Sequence, residues 1–279
     1  VLYDGYGASG ALVAKIRCAE NGGSSIVWTT DPYGTEGTSL NAKSGFQLST
    51  PYLDDNGTPN DASDDTLYVG TISQYDDYEG GEWLTGTGSK VMALTGLDQN
   101  KPTVTNVLTG INGQINTPIT TDGTYLYFGT WPGGSNAGTY YQVKLSDYSV
   151  KTFTPDSYGF YWAGAYATEQ FVLVGTDDGQ SGYSSESASL LVFDRLTGAL
   201  LDSQDGIRGD IRSNVSYDPD SDRVFFTSKG GVLCNAKIDW TTGEILDFQQ
   251  VVLKDSKGND YAMSTCTPSV YNGRIYLGV

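Results

Sequence analysis

The chain has 279 residues, a formal net charge of −17, 36 Gly, 20 Tyr and no His. The acidic residues are spread along its whole length, which excludes nucleic acid and anionic membrane surfaces as partners because phosphate binding needs clustered Lys and Arg. The absence of histidine excludes Ser-His-Asp triads, Cys-His dyads and His-based zinc or haem sites.

Apolar runs that end in glycine recur along the chain and define a repeat. The runs are LYDG ending at Gly5, LYVG at Gly70, LYFG at Gly129, VLVG at Gly175 and IYLG at Gly278, with VFFT at Thr227 in the same register. Their spacing of 46 to 65 residues is that of a four-stranded propeller blade. The high Gly and Tyr content, with no sustained apolar stripe at helical spacing, favours strands throughout.

Each repeat can be written as four strands, A to D. Pro51, Pro118 and Pro268 follow Thr in strand A, which is therefore predicted to be an edge strand because proline cannot donate to a ladder. Strand B ends in the repeated glycine. Residues 1–30 supply strands B, C and D, four whole blades follow, and the final stretch supplies A and B. The sequence predicts an all-β fold, a β-propeller of four-stranded antiparallel blades, with five or six blades in a single domain over 1–279, or a fragment of a larger propeller.

Two repeats share a pattern in the turn from strand C to strand D. The pattern is Asp, two residues and Thr-Gly, in DRLTGALL and DWTTGEIL. Gly198 and Gly243 are predicted to take a positive φ there, because glycine adopts that conformation without a steric penalty. Asp194 and Asp239 are predicted to cap these turns.

This C–D pattern, followed by Thr-Pro and an aromatic run ending in Gly, is similar to the repeat of the propellers related to pyrroloquinoline-quinone (PQQ) enzymes. The resemblance covers nearly the whole chain and implies either a quinoprotein dehydrogenase or a noncatalytic outer-membrane or cell-surface propeller. The Trp that often closes strand D in that family remains only at Trp28. Dehydrogenases of the family commonly flank their quinone with a disulfide between neighbouring cysteines. Cys18, Cys234 and Cys266 include no such pair, so no PQQ is expected. The three cysteines form either one disulfide or three free thiols, and the sequence favours neither.

The B–C and D–A connections of an up-and-down blade emerge at the same end, because successive strands run in opposite directions. Here these connections are long and aromatic, at 72–89, 131–139, 155–162 and 177–189. Exposed Tyr and Trp provide rigid contact area with a polar group; the alternative is that the rings pack between blades. The candidate ligand-binding residues are Tyr75, Tyr78, Trp83, Trp131, Tyr158, Tyr161, Trp162 and Tyr183.

The sequence therefore indicates a noncatalytic secreted or cell-surface propeller, of a bacterium or archaeon, that binds a protein or glycan partner through this aromatic end. The alternative is a carbohydrate-active enzyme, a polysaccharide hydrolase or lyase using paired carboxylates, or a quinone-dependent enzyme. Low Lys and abundant Tyr, Thr, Ser, Asn and Gly favour the extracellular location. With no run of 18 apolar residues and no signal-like start, no membrane insertion is expected, and the sequence is interpreted as a mature chain or an excised fragment.

One A–B turn is longer and more acidic than its counterparts. Residues 54–65, DDNGTPNDASDD, stand where other repeats have TDGTY or YNGR. Crowded carboxylates repel one another unless a cation neutralises them, and calcium takes about six to eight oxygen ligands in a turn of this kind. The loop is predicted to bind one structural Ca²⁺, and the alternative is a solvated acidic turn. The candidate ligands are Asp54, Asn56, Asn60, Asp61 and Asp65.

Overall fold

The computed structural model describes residues 13–20, 22–30, 49–70, 75–79, 82–85, 89–131, 137–156, 158–177, 185–261 and 263–279, with the backbone alone at 75–79 and 82–85. Every element assigned within these ranges is a β-strand. None of this part of the chain forms a helix with the length and apolarity to cross a membrane. The chain divides into two compact units, Val1–Ile119 and Thr120–Val279. A single domain over 1–279 stays a prediction.

The first unit contains one complete blade, formed by strands in the order β3-β4-β7-β8. A separate hairpin, β5-β6, is inserted between its strands B and C, and β1 pairs with β2. The strands are β1 (Val13–Cys18), β2 (Ser24–Thr30), β3 (Tyr52–Asp54), β4 (Thr66–Gly70), β5 (Tyr75–Glu79), β6 (Glu82–Thr85), β7 (Ser89–Thr95) and β8 (Thr103–Ile111).

The second unit contains three complete blades, β9 to β12, β13 to β16 and β17 to β20, and the pair β21-β22. The strands are β9 (Thr120–Thr121), β10 (Tyr125–Gly129), β11 (Tyr140–Lys144), β12 (Val150–Phe153), β13 (Tyr166–Ala167), β14 (Phe171–Gly175), β15 (Ala188–Asp194), β16 (Leu200–Ile207), β17 (Ser216–Asp218), β18 (Arg223–Ser228), β19 (Val232–Ile238), β20 (Ile245–Val252), β21 (Ser269–Tyr271) and β22 (Arg274–Tyr276).

The predicted blades are confirmed. All four complete sheets are antiparallel, and strand A lies at the edge of each. Pro51, Pro118 and Pro268 come just before β3, β9 and β21 rather than within them. No hydrogen bond between these strands and their neighbours therefore lacks its N–H donor. Four complete sheets, with β1-β2 and β21-β22 as parts of further blades, agree with five or six blades.

Strand β15 shows how the core follows from strand periodicity. Successive side chains point to opposite faces of a sheet, so Leu190 and Val192 pack on one side with Val224 of β18. The side chain of Leu191 points to the opposite face of the sheet and packs there with Tyr140 of β11. A central strand covered on both faces is apolar at most positions, and β14 and β15 are buried almost throughout. The edge strand β16 is mostly exposed.

The repeated glycine at the end of strand B leaves room for the D–A connection to cross it. A Cβ at Gly129 would lie 2.3 Å from Cβ of Phe160, and one at Gly175 would lie 2.1 Å from Cγ2 of Ile211. The Phe160 N–H donates to the Thr130 carbonyl at 3.0 Å, a hydrogen bond that fixes this crossing. The repeat therefore ends in Gly because a buried apolar side chain occupies the space that a Cβ would need.

The C–D turns are capped as predicted. Gly198 and Gly243 have φ of 74° and 82°. The Thr197 N–H donates to Oδ1 of Asp194 at 2.6 Å, and the Thr241 N–H donates to Oδ1 of Asp239 at 2.8 Å. The Thr197 hydroxyl also donates to Oδ1 of Asp194, at 2.7 Å. This hydroxyl bond at Asp194 and the Thr241 N–H bond at Asp239 stabilise the ionised carboxylates and lower the pKa of both Asp side chains.

Candidate partner-binding surface

Three residues hold equivalent positions at the end of successive blades in the second unit. Trp131, Asp177 and Lys229 each stand two residues after the repeated glycine position. The Asp177 N–H donates to the Gly159 carbonyl, and the Lys229 N–H donates to the Asp210 carbonyl, and each carbonyl lies in the D–A connection that leads into the donor's blade. One backbone site therefore presents an aromatic, an acidic and a basic side chain in turn.

Aromatic side chains and one guanidinium group pack together at this surface. The rings of Trp131 and Tyr161 meet edge to face with centroids 5.4 Å apart, and those of Tyr161 and Trp162 lie 5.0 Å apart. Cζ of Arg212 lies 4.4 Å from the Tyr161 centroid and 5.2 Å from the Trp162 centroid, distances that give a cation–π attraction. We name these residues, with Asp177, Asp210 and Lys229, the rim cluster.

Buried carboxylates hold Arg212 in place. Its Nη2 lies 2.8 Å from Oδ2 of Asp177 and 3.1 Å from Oδ2 of Asp210, and Nζ of Lys229 lies 3.5 Å from the same Asp210 oxygen. The Asp210 side chain has no solvent exposure and that of Asp177 has 3%. Because a buried charge is tolerated only when it is paired, this ionic chain fixes the guanidinium under the Tyr161 and Trp162 rings.

Trp162 is the most exposed member of the cluster and its backbone is strained. Its φ is 64° and the residue is 48% exposed. The connection from Phe160 to Tyr166, which opens β13, is one residue longer than the equivalent connection from Ile211 to Ser216, which opens β17. A bulky residue rarely adopts a positive φ, and such outliers concentrate at functional sites. Trp162 lies within this longer connection.

Of the candidate ligand-binding residues, Trp131, Tyr161 and Trp162 lie together, and their role in binding stays a prediction. Tyr158 instead packs edge to face against Phe160, with centroids 6.5 Å apart, beside the core. Burial raises the pKa of the Tyr161 phenol, Arg212 opposes this and Asp177 adds to it, so the phenol stays neutral.

Three other predicted aromatic residues belong to the first unit. Tyr75 is in β5, and Tyr78 of β5 pairs with Trp83 of β6 in the hairpin of the first unit. Tyr183 lies outside the described residues. The aromatic pattern did not point to Asp177, Asp210, Arg212 or Lys229. Aligning the repeats on their glycine could have singled out Asp177 and Lys229, because both fall in register with Trp131.

The acidic loop of residues 54–65 is organised by its own carboxylates. The Asn56 N–H donates to Oδ1 of Asp54, and Nδ2 of Asn56 donates to Oδ2 of Asp64, both at 3.1 Å. Oγ of Ser63 donates to Oδ1 of Asp61 at 2.6 Å, and this bond lowers the pKa of Asp61. Asp64, absent from the predicted ligands, is thus central to the loop.

Asp65 is the unsatisfied member of this loop. Its Oδ1 is buried and has no donor among the described residues. Partial burial, together with the charges of Asp64, Asp55, Asp61 and Asp54, raises the pKa of its carboxyl. In the part of the chain that the structure describes, no group of three or more Asp, Glu or Cys side chains is placed to hold a metal. Calcium binding by Asp54, Asn56, Asn60, Asp61 and Asp65 stays a prediction.

Calcium should raise the melting temperature of the protein and EDTA should lower it. Because the pKa of Asp65 is raised, its ionised form costs stability, and this cost grows as the pH rises through the folded pKa. The Asp65→Asn variant is therefore expected to melt higher than the parent in EDTA at pH 7, and to lose the gain from calcium. Thermal melts of both proteins, with and without calcium, measure this. Equal melts of the parent in calcium and in EDTA would reject the site.

No family model matches the chain, and neither does any curated protein. Among solved structures, BamB from Moraxella catarrhalis aligns with a TM-score of 0.53 and 16% identity, over 97% of this chain and 67% of its own. A putative 6-phosphogluconolactonase from Bacteroides uniformis aligns with a TM-score of 0.50 and 11% identity, over 88% and 72%. The periplasmic gluconolactonase PpgL of Pseudomonas aeruginosa gives 0.51 and 12%, over 88% and 65%. At these identities the likeness shows the fold alone, and that fold is the predicted β-propeller.

Proposed function

We propose that this protein is a noncatalytic β-propeller that binds a protein partner through the rim cluster around Trp162. One observation supports this above all: a half-exposed Trp in a strained backbone, seated on an Arg that two buried carboxylates hold. Trp, Tyr and Arg are the residues most enriched at protein-binding hot spots. A rigid aromatic anchor loses little conformational entropy on binding, which favours affinity.

A protein partner suits this surface better than a glycan. Sugar recognition needs polar groups that reach the hydroxyls, yet both rim carboxylates are buried and bonded to Arg212. What solvent meets is chiefly the Trp162 ring. Small-ligand sites are concave, and a small cleft lined by Tyr127, Tyr140 and Phe193 shares no residue with the rim cluster. Binding of the protein to a glycan array would favour a glycan partner instead.

An enzymatic role is the second candidate, because one of the similar structures is named as a putative 6-phosphogluconolactonase and another as a gluconolactonase. Carboxylate catalysis would require acids that substrate can reach. Asp177 and Asp210 do not meet this requirement, since their side chains are buried and share the Arg212 guanidinium. Turnover of gluconolactones or of a polysaccharide panel by the purified protein would favour the enzyme over the binding protein.

We also infer a location outside the cytoplasm. The composition, rich in Tyr, Thr, Ser, Asn and Gly, supports it, and one of the similar structures is named as periplasmic. More specifically, we propose that the protein is secreted or lies at the cell surface. We also propose that it belongs to the noncatalytic cell-surface branch of PQQ-like propellers. Fractionation of host cells with an antibody to this protein tests it.

Trp162→Ala should weaken partner binding by about 30-fold, or about 2 kcal/mol, the usual loss at a hot spot. The side chain is half-exposed, so its removal should leave the melting temperature almost unchanged. The partner is captured from host extract, identified and purified, and its Kd is measured by calorimetry. Leu196→Ala, at an exposed position in a C–D turn, is the matched control and should bind as the parent does. An unchanged Kd for Trp162→Ala would contradict the proposal.

A further inference from the structure

Four Asn-Gly pairs occur in the sequence, at Asn21, Asn56, Asn112 and Asn272. In such a pair the backbone nitrogen of Gly can attack the Asn side-chain carbonyl, because no Cβ obstructs its approach. Asn56 and Gly57 are exposed, with φ of 50° and 73°, and a Cβ at Gly57 would meet nothing within 4 Å. The space around the reacting atoms is therefore open.

The neighbouring carboxylates distinguish this pair. The Gly57 N–H donates to Oδ1 of Asp55 at 3.1 Å, so the nitrogen that must lose a proton already faces a base within hydrogen-bond reach. Nδ2 of Asn56, the group that would leave, donates to Oδ2 of Asp64 at 3.1 Å. A carboxylate therefore accepts a hydrogen bond both from the attacking nitrogen and from the group that leaves.

We propose that Asn56 is a site of self-modification, in which Asp55 acts as the base for deamidation through a succinimide. The Gly57 nitrogen forms a bond to Cγ of Asn56 and gives its proton to Asp55. The Cγ–Nδ2 bond then breaks, and the nitrogen leaves as ammonia after taking up a proton. Water opens the ring at one of its two carbonyls, giving aspartate or isoaspartate. The net change is amide plus water to carboxyl plus ammonia, with no oxidation or reduction.

Asn272-Gly273, in the turn between β21 and β22, provides an internal comparison. Its φ angles of 50° and 66° nearly match those of Asn56-Gly57, and it is also exposed. Among the described residues no side-chain carboxylate accepts the Gly273 N–H. The two pairs share a backbone conformation and differ in the base, so their rates isolate the contribution of Asp55.

The modification would change the acidic loop directly. Loss of Nδ2 removes the donor that holds Asp64, and the new carboxylate joins those of Asp54, Asp55, Asp61 and Asp65. An isoaspartate would also lengthen the main chain within the turn. The modified form should therefore melt lower than the fresh protein in the absence of calcium.

Peptide mapping by mass spectrometry, after timed incubation of the full chain at neutral pH and 37 °C, tests the proposal. Asn56 is expected to deamidate faster than Asn272, and Asp55→Asn should remove that difference. In denaturant, where the Asp55 contact is lost, the two pairs of the parent chain should react alike. The proposal is overturned if Asn56 reacts no faster than Asn272 in the folded protein, if Asp55→Asn leaves its rate unchanged, or if the difference persists in denaturant.

Discussion

Gly175→Ala should lower the free energy of unfolding by about 3 kcal/mol, the upper end for an overpacked core. The new Cβ would lie 2.1 Å from Cγ2 and 2.4 Å from Cβ of Ile211, which is fully buried. The φ of Gly175 lies outside the left-handed region, so alanine is not strained by its own backbone and the clash alone accounts for the loss. Chemical denaturation of parent and variant measures the effect.

Thr227→Ala is the matched control, since Thr227 holds the same position in the next blade. There a side chain is accommodated, and Oγ1 of Thr227 donates to the Cys266 carbonyl at 2.7 Å. Its removal should cost only about 1 kcal/mol, the usual net value of one hydrogen bond. If Gly175→Ala lowers the free energy of unfolding no more than this control does, the packing of the D–A connection does not require glycine at position 175.

Asp122→Ala should destabilise the protein by about 3 kcal/mol, because it leaves the Arg195 guanidinium without its carboxylate. Asp122 Oδ2 accepts from Nε of Arg195 and from the Tyr127 hydroxyl, and the Arg195 side chain is only 14% exposed. This contact joins the A–B turn of one blade to the C–D turn of the next. Asp147→Ala, an exposed turn carboxylate, is the control and should cost much less.

The loss from Asp122→Ala should depend on pH. Burial alone would raise the pKa of Asp122, but the bonds from Arg195, the Tyr125 and Thr124 N–H groups and Tyr127 outweigh it and lower the pKa. A lowered folded pKa gives stability that is present above the unfolded value of about 3.9 and is lost as the pH falls through the folded value. The difference between parent and variant should therefore shrink in acid. A constant difference between pH 7 and pH 2 would show that Asp122 acts through packing alone.

The blades could be predicted from sequence because each repeats the same local physics. Gly70, Gly129 and Gly175 recur since each must leave space for a crossing side chain. The Thr-Gly turns at Gly198 and Gly243 recur since each needs a positive φ. Constraints that act within a few residues, or once per repeat, leave a periodic pattern in the sequence.

The rim cluster left no such pattern. Arg212 pairs with Asp177, which lies 35 residues earlier in the sequence. It also packs against Tyr161, which follows the preceding blade. No local spacing in the sequence therefore signals either contact. Trp162 lies in a connection one residue longer than its counterpart, a difference that only the strand register reveals. The aromatic loops pointed to the end of the blades where Trp131, Tyr161 and Trp162 meet, but the charged residues beside them became visible only in three dimensions.

The inserted hairpin also escaped prediction. The sequence placed residues 72–89 in a loop, whereas β5 and β6 pair there as a separate two-stranded sheet. Alternation of apolar and polar residues is weak in YDDYEGGEWLT, and Glu79 stands opposite Glu82, a like-charge pairing that disfavours a hairpin on its own. The local signals therefore conflict, because the Gly-Gly pair that separates the two runs in the sequence favours a two-residue hairpin turn.

Site-specific photo-crosslinking in the native host tests the proposed partner surface most directly. A benzophenone amino acid is placed at Trp162 in one variant and at Leu196, which is 63% exposed in the turn at the opposite end of its sheet, in the other. Binding through the rim cluster predicts a discrete crosslinked protein from position 162 and none from position 196. Crosslinks of equal yield from both positions, or a partner captured only from position 196, would contradict it.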